Sequence, residues 1–174
     1  MNTLDAITRR KSVRSYKPDP VPEDVLDTIL LAGMAAPVAM GAYDSLCLTV
    51  VQDSELLNEI GNAATELATQ KLGKPANKNF GAPVMIVVSS RQSTIPGLEH
   101  ANAMAVLENM AIAATDLGLG SIVWGGAAAA IAYDAWLLDQ LAIPDSFAPI
   151  LALSLGYTDA ETPVQKHRIP VNFI

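Results

Sequence analysis

The sequence predicts an α+β fold in three layers, a central mixed or antiparallel sheet flanked by helices, and three observations lead there. Helical patterns occupy more of the chain than strand patterns and do not alternate with them as a βαβ repeat would. The segment Pro83 to Ser89, PVMIVVS, is almost continuously apolar, as a strand covered on both faces must be. The stretch from about Leu98 to Leu117 surrounds Met104, Leu107, Met110 and Ile112 with alanines, and a helix apolar on nearly all sides is expected to be buried on nearly all sides. With 174 residues, 51% of them hydrophobic, the chain reads as one domain spanning 1–174. A chain of this size buries roughly 70% of the surface its unfolded form exposes.

Asn2 or Thr3 caps a first helix that runs through Arg10 with Leu4 and Ile7 on its inner face. Pro18, Pro20 and Pro22 then force an extended link. A second helix starts at Pro22, where proline suits the first turn and Glu23 and Asp24 complement the dipole; Val25, Leu26, Ile29 and Leu30 point inward, and Gly33 and Pro37 end it. Leu46 to Val51 is β-branched and apolar and reads as a strand, followed by a helix from about Ser54, its cap, to Leu72. Beyond the strand at 83–89 and the long helix, Gly118 and Gly120 precede a strand at Ser121 to Trp124, a helix near Asp134 to Leu141 and a strand from Ala148 to Leu155. Val164 to Ile174 forms an extended, proline-bounded tail without a partner nearby. So short a chain has too few elements to enclose the helix at 98–117 by itself, which predicts a homodimer.

The formal charge of −7 argues against a sequence-independent grip on nucleic acid or on an anionic membrane surface. The N-terminus has no signal-peptide pattern, and no run of about 18 uncharged apolar residues reads as a membrane span. One cysteine, Cys47, excludes an internal disulfide and points to a reducing cytoplasm; inside an apolar strand it reads as a small core residue. His100 and His167 lack the cysteine or carboxylate company of a metal site, so none is expected.

Against this acidic balance, Arg9, Arg10, Lys11, Arg14 and Lys17 crowd between positions 9 and 17. Arg10, Lys11, Ser12 and Arg14 lie where the first helix gives way to extended chain, so two guanidiniums, an ammonium and a hydroxyl have the chemistry to converge on one phosphate. The alternative is a solvated basic face paired with Asp5 or Glu23.

R-K-S-V-R-S-Y at 10 to 16, followed by Pro20, Val21 and Pro22, resembles the opening of the nitroreductase family. The resemblance continues through L-A-G-M-A-A-P at 31 to 37, F-G-A-P-V at 80 to 84, E-N-M-A-I-A-A-T-D-L-G-L-G-S at 108 to 121, W-G-G at 124 to 126, L-G-Y at 155 to 157 and K-H-R at 166 to 168. It implies a nitroreductase-like fold, an intertwined homodimer with a swapped C-terminal tail, and flavin mononucleotide (FMN) held in clefts between subunits. It further implies an oxidoreductase that passes hydride from NADH or NADPH through the flavin to a small-molecule acceptor such as a nitroaromatic or quinone. The chemistry belongs to the cofactor, and no catalytic side chain is named.

Carried over by position, the resemblance makes Arg10, Lys11, Ser12 and Arg14 phosphate and ribityl contacts, with Lys166 and Arg168 completing the phosphate site. Gly125 and Gly126 match a turn whose amides face the reactive edge of the flavin; the alternative is a plain turn after a strand. Lys78 matches a cation near the flavin pyrimidine, where it would raise the reduction potential, or else belongs to an exposed loop. Pro37, Val38, Ala39, Met40 and Gly41 stand in the family's ring-lining segment, but the pattern departs here. Typical members continue with serine, asparagine and a Gln-Pro-Trp run, whereas this chain reads V-A-M-G-A-Y-D-S-L at 38 to 46. That departure motivates the alternative of a non-catalytic FMN-binding or storage protein on the same fold.

Overall fold

A computed structural model describes residues 1–73, 75, 80–160 and 167–174. Four strands, β1 (Leu46–Val51), β2 (Val84–Ser90), β3 (Gly120–Val123) and β4 (Ala148–Gly156), form one sheet in the order β1-β2-β4-β3, every neighbouring pair antiparallel. The only parallel element seen among the described residues is an isolated bridge between Ser12 and Ser121, so the mixed option for the sheet falls away. Among the described residues six α-helices surround it: α1 (Thr3–Arg9), α2 (Glu23–Met34), α3 (Ser54–Leu72), α4 (Leu98–Asp116), α5 (Gly125–Tyr133) and α6 (Ala135–Gln140).

Strand β2 occupies the middle of the sheet and all seven of its residues are buried, which accounts for its continuous apolar run. Its alternate side chains feed two cores. Val84, Ile86 and Val88 join α2 and α4 on one face, through Leu26, Ile29, Leu107 and Met110. Met85 and Val87 join α3, α5 and α6 on the other, through Leu57, Ile60, Ile131 and Leu137. Cys47 is only half-buried, because β1 is the edge strand.

Several expectations need correcting. Leu4 and Ile7 are 74% and 47% exposed; α1 seats instead on Ala6, whose small side chain lets the helix approach α4 closely. Gly33 does not end α2 but lies buried in its last turn, where a Cβ would stand 2.2 Å from Met110 Cε. The cap of α3 is Asp53 rather than Ser54, its carboxylate accepting from Leu56 N–H at 2.7 Å. Helix α4 buries one broad face and leaves Ala101 and Met104 exposed, so within one chain its enclosure is incomplete. A whole helix, α5, occupies 125–133, where the sequence reading placed no element; four consecutive alanines, the strongest helix formers, were the available signal.

Candidate functional site

The basic segment leaves α1 as extended chain and runs beside β3. Val13 N–H donates to Ser121 C=O at 2.9 Å and its side chain is buried, which fixes the segment against the sheet. Because successive side chains of extended chain point to opposite sides, anchoring Val13 turns Ser12 and Arg14 the other way. Arg14 is exposed, its Nη1 3.4 Å from Ser12 C=O. Arg10 caps the end of α1 through its backbone, and its Nε lies 3.1 Å from Glu108 Oε1 on α4. That Nε is buried and the ion pair falls short of hydrogen-bond geometry, so the guanidinium keeps an unmet donor.

Residues 157–160 run back along the same segment. Lys17 N–H donates to Tyr157 C=O, Thr158 Oγ1 to Ser15 C=O, and Lys11 Nζ to Ala160 C=O at 3.2 Å. Lys17 Nζ pairs with Asp159 at 2.6 Å, a hydrogen bond that raises the ammonium above its ordinary pKa. Among the described residues the ion pairs seen for this segment run to Glu108 and Asp159, not to Asp5 or Glu23. Tyr16 packs against the site of Gly156 and donates to Val13 and Ser154 carbonyls; burial pushes its phenol up, the nearby Arg14 charge opposing.

Helix α5 begins at the far end of β3. Gly125 and Gly126 are therefore not a plain turn but the first turn of a nine-residue helix, and no side chain caps it. The first amides of a helix have no intrahelical acceptor and carry the positive end of its dipole, so this bare turn presents donors to an anionic or carbonyl-rich group. With neither residue carrying a Cβ, a flat molecule can approach the backbone closely. From Ser121, bridged to Ser12, to Gly125 the strand covers about 13 Å at some 3.3 Å per residue.

Two aromatic residues that sequence reasoning did not assign to the site stand beside this turn. Trp124, the residue before α5, is buried, and its indole Nε1 lies 3.0 Å from where a Gly126 Cβ would be. Phe80 packs on it with ring centroids 5.7 Å apart at 55°. Phe80 holds a φ of 52°, a left-handed conformation that costs a bulky L-residue about 1–2 kcal/mol. Nothing in a single sequence announces a left-handed phenylalanine.

The 37–45 segment forms two tight 3-10 turns, Ala39–Gly41 and Tyr43–Ser45. Val38 is buried, Pro37 and Gly41 are exposed, and Met40 takes a φ of 59° with 78% of its surface exposed. The turn is held from several sides: Asn102 Oδ1 accepts from Ala39 N–H at 3.1 Å, Tyr43 OH donates to Ala36 C=O at 3.2 Å, and Ser45 Oγ to Ala42 C=O at 2.6 Å. Asp44 lies 3.6 Å from Arg91.

Within one chain these pieces do not form a single pocket. Arg10 meets α4 at Glu108 and Ala39 meets it at Asn102; the six steps between these positions span about 9 Å and turn the helix well past one revolution, so the contacts leave different faces. Arg168 is exposed. Lys78 and Lys166 lie outside the described residues.

The comparisons with known proteins agree on one family. A model of the Nitroreductase family matches residues 7–157. A protein of Methanothermobacter thermautotrophicus, named for an inferred NADH dehydrogenase/NAD(P)H nitroreductase activity, is 32% identical over 165 residues, covering 94% of this chain and 80% of the relative. The NADPH-flavin oxidoreductase of Vibrio harveyi is 28% identical, covering 99% of this chain and 72% of the relative. Among solved structures, a nitroreductase with bound FMN from Bacteroides fragilis superimposes with a TM-score of 0.83 at 24% identity, covering 100% of this chain and 97% of that one. The Vibrio harveyi NADPH:FMN oxidoreductase in complex with NAD+ gives 0.75 at 23%, covering 97% and 73%.

Proposed function

The chain belongs to the nitroreductase family, and from that premise we propose that it is an FMN-dependent oxidoreductase that takes hydride from NADH or NADPH and delivers it to a small acceptor such as a nitroaromatic or quinone. The observation that carries the reading is the span of β3. At one end Ser12 and its basic neighbours are bridged to Ser121, and at the other stands the bare, Cβ-free first turn of α5. An anionic tail and a flat, acceptor-rich head suit those two ends.

The residues present fit such a cofactor. The buried Arg10 Nε lacks a hydrogen bond, and a phosphate would take it. Arg14 and Lys11 add charge, Ser12 a hydroxyl, and each charge-assisted hydrogen bond contributes roughly 1.5–3 kcal/mol. The amides of Gly125 and Gly126 are oriented to donate to ring acceptors. Bound FMN supplies the two-electron chemistry, alternating between donor and acceptor in one cleft. The chain's part is to hold the phosphate, orient the ring and supply fixed dipoles. Lys78, and Lys166 with Arg168, enter the proposal as the pyrimidine-side cation and the second phosphate pair.

The proposal includes a homodimer that brings the Pro37, Val38, Ala39, Met40 and Gly41 turn of one copy to the basic segment of the other. Support comes from the separation of these pieces in one chain and from the exposed Leu4, Ile7, Leu31, Met34 and Met104 on α1, α2 and α4. These helices border a groove lined by Ala6, Ile7, Ala32, Ala35, Asn109 and Ile112, the kind of apolar surface a second copy covers. A swapped tail suits the exposed apolar residues Ile169, Val171, Phe173 and Ile174. Among the described residues no helix is long and apolar enough to cross a membrane; the proposal also takes the location to be cytoplasmic and nucleic acid not to be a partner, readings supported by the single cysteine and the charge of −7.

The test is the visible spectrum of protein supplied with FMN, desalted, then titrated with NADH or NADPH without oxygen. About one flavin per chain that bleaches on titration is expected. Flavin that stays oxidised with both donors would favour storage over turnover, and absence of flavin would refute FMN binding altogether.

A further inference from the structure

We propose that Phe80 is a positioning residue for the hydride-transfer site: its left-handed backbone and its ring on Trp124 brace the Gly125–Gly126 amide turn against the strand β2 side of the molecule. The inference rests on the functional reading above, since it concerns the ring end of the same site.

Three contacts form the brace. Trp124 is fixed by its backbone, whose N–H donates to Ala152 C=O on β4 at 2.7 Å. Its indole lies beside the first turn of α5, with Nε1 3.0 Å from the position a Gly126 Cβ would take, so a side chain at 126 would press on the ring. Phe80 packs on the same indole, with ring centroids 5.7 Å apart and the planes tilted by 55°, within the separation at which aromatic pairs attract.

The backbone at Phe80 explains why the contact needs this residue. Phe80 and Gly81 take successive left-handed conformations, with φ of 52° and 77°, and the chain then enters the buried β2 through Ala82. A glycine would adopt φ of 52° freely, yet a phenylalanine stands there, half-buried and packed on Trp124. Strain of this kind persists only where surrounding structure over-determines it, and it gathers at sites where geometry serves function.

Loosening the brace lets the α5 amides drift, and donors aimed at a fixed place lose effect when they move by as little as 1 Å. The proposed phosphate contact Ser12, bridged to Ser121, lies about 13 Å along the strand direction from Gly125. The position therefore governs the ring's environment rather than whether FMN is held.

The experiment compares wild type, Phe80→Leu and Phe80→Tyr, each supplied with FMN and desalted, with folding checked by circular dichroism. Phe80→Leu is expected to hold flavin at the wild-type ratio, to show a lowered reduction potential against a reference dye and a visible band moved toward that of free FMN, and to lose kcat by up to about a hundredfold with little change in the donor's KM. Phe80→Tyr should restore the wild-type potential and spectrum. Should Phe80→Leu fail to fold, Trp124→Phe, which keeps an aromatic pair but shortens the reach over Gly126, is expected to lower the potential in the same direction. A folded, flavin-loaded Phe80→Leu or Trp124→Phe with unchanged potential and spectrum would overturn the inference and leave the functional reading intact. Wild-type protein without flavin after desalting would remove that reading itself and the inference with it.

Discussion

Gly156 stands where β4 leaves the sheet, and a Cβ built on it would lie 2.5 Å from Pro83 Cδ and 3.3 Å from Tyr16 Cδ1. A proline ring has no rotamer by which to retreat, so Gly156→Ala is expected to destabilise the chain by about 1–3 kcal/mol, read as a lower Tm. A second residue-scale prediction concerns Glu99 in the first turn of α4. Its carboxylate accepts from Ser93 N–H at 2.5 Å, and this bond, with further backbone donors, holds it below the ordinary carboxylate pKa. A depressed folded pKa means the contribution is present above the unfolded value and is lost as pH falls through the folded one. The Tm difference between wild type and Glu99→Gln should accordingly be open at neutral pH and close in acid; a difference independent of pH would contradict the assignment. Arg10 is the third case. Arg10→Ala is expected to lose FMN on desalting while circular dichroism stays unchanged, because the proposed role of the side chain is to hold a phosphate and not to fill the core.

At the scale of elements, helix ends were harder to read than helix bodies. Ser54 and Asp53 are both good caps, and only backbone geometry selects between them: Asp53 is extended, with φ of −66° and ψ of 118°, while Ser54 is already helical. Asp53→Ala should thus cost about 1 kcal/mol and Ser54→Ala much less, measurable by chemical denaturation of the two variants side by side. The bodies of α2 and α3 were legible because one-sided burial imprints a period on the side chains, and β2 and α4 because burial on most sides leaves them apolar almost throughout. Helix α5 was not, since a segment of glycine and alanine after a strand carries no amphipathic stripe; what makes it helical is propensity together with packing on β4 and α3. That reassignment matters for function, because it converts two glycines of a turn into the positive end of a helix dipole.

For the whole molecule the question is what covers α1, α2 and α4. Leu31 and Met34 are 65% and 58% exposed, so a charge placed there disturbs little in one chain. Leu31→Asp is expected to leave the fold intact, shift the protein from dimer to monomer in sedimentation velocity and abolish FMN retention, although no phosphate-contacting residue has changed. A dimer that survives Leu31→Asp with flavin bound would place the shared site elsewhere. The candidate site follows the same logic: its basic segment was legible because five cations within nine positions stand out in an acidic chain, whereas the proposed completion by a second copy is written in no local pattern.

The sequence by itself determined the α+β class, the positions of most elements, the clustering of Arg10, Lys11, Ser12 and Arg14, and the family to which those residues pointed. These are local facts, written in periodicity, charge and short motifs. Only the tertiary structure decided that Glu108 faces Arg10, that Ser12 is bridged to β3, that α5 opens on Gly125 and Gly126, and that a strained Phe80 leans on Trp124. Three of these join residues far apart along the chain. Such contacts are selected by how the two faces of the sheet pack, and no window of neighbouring residues contains that information.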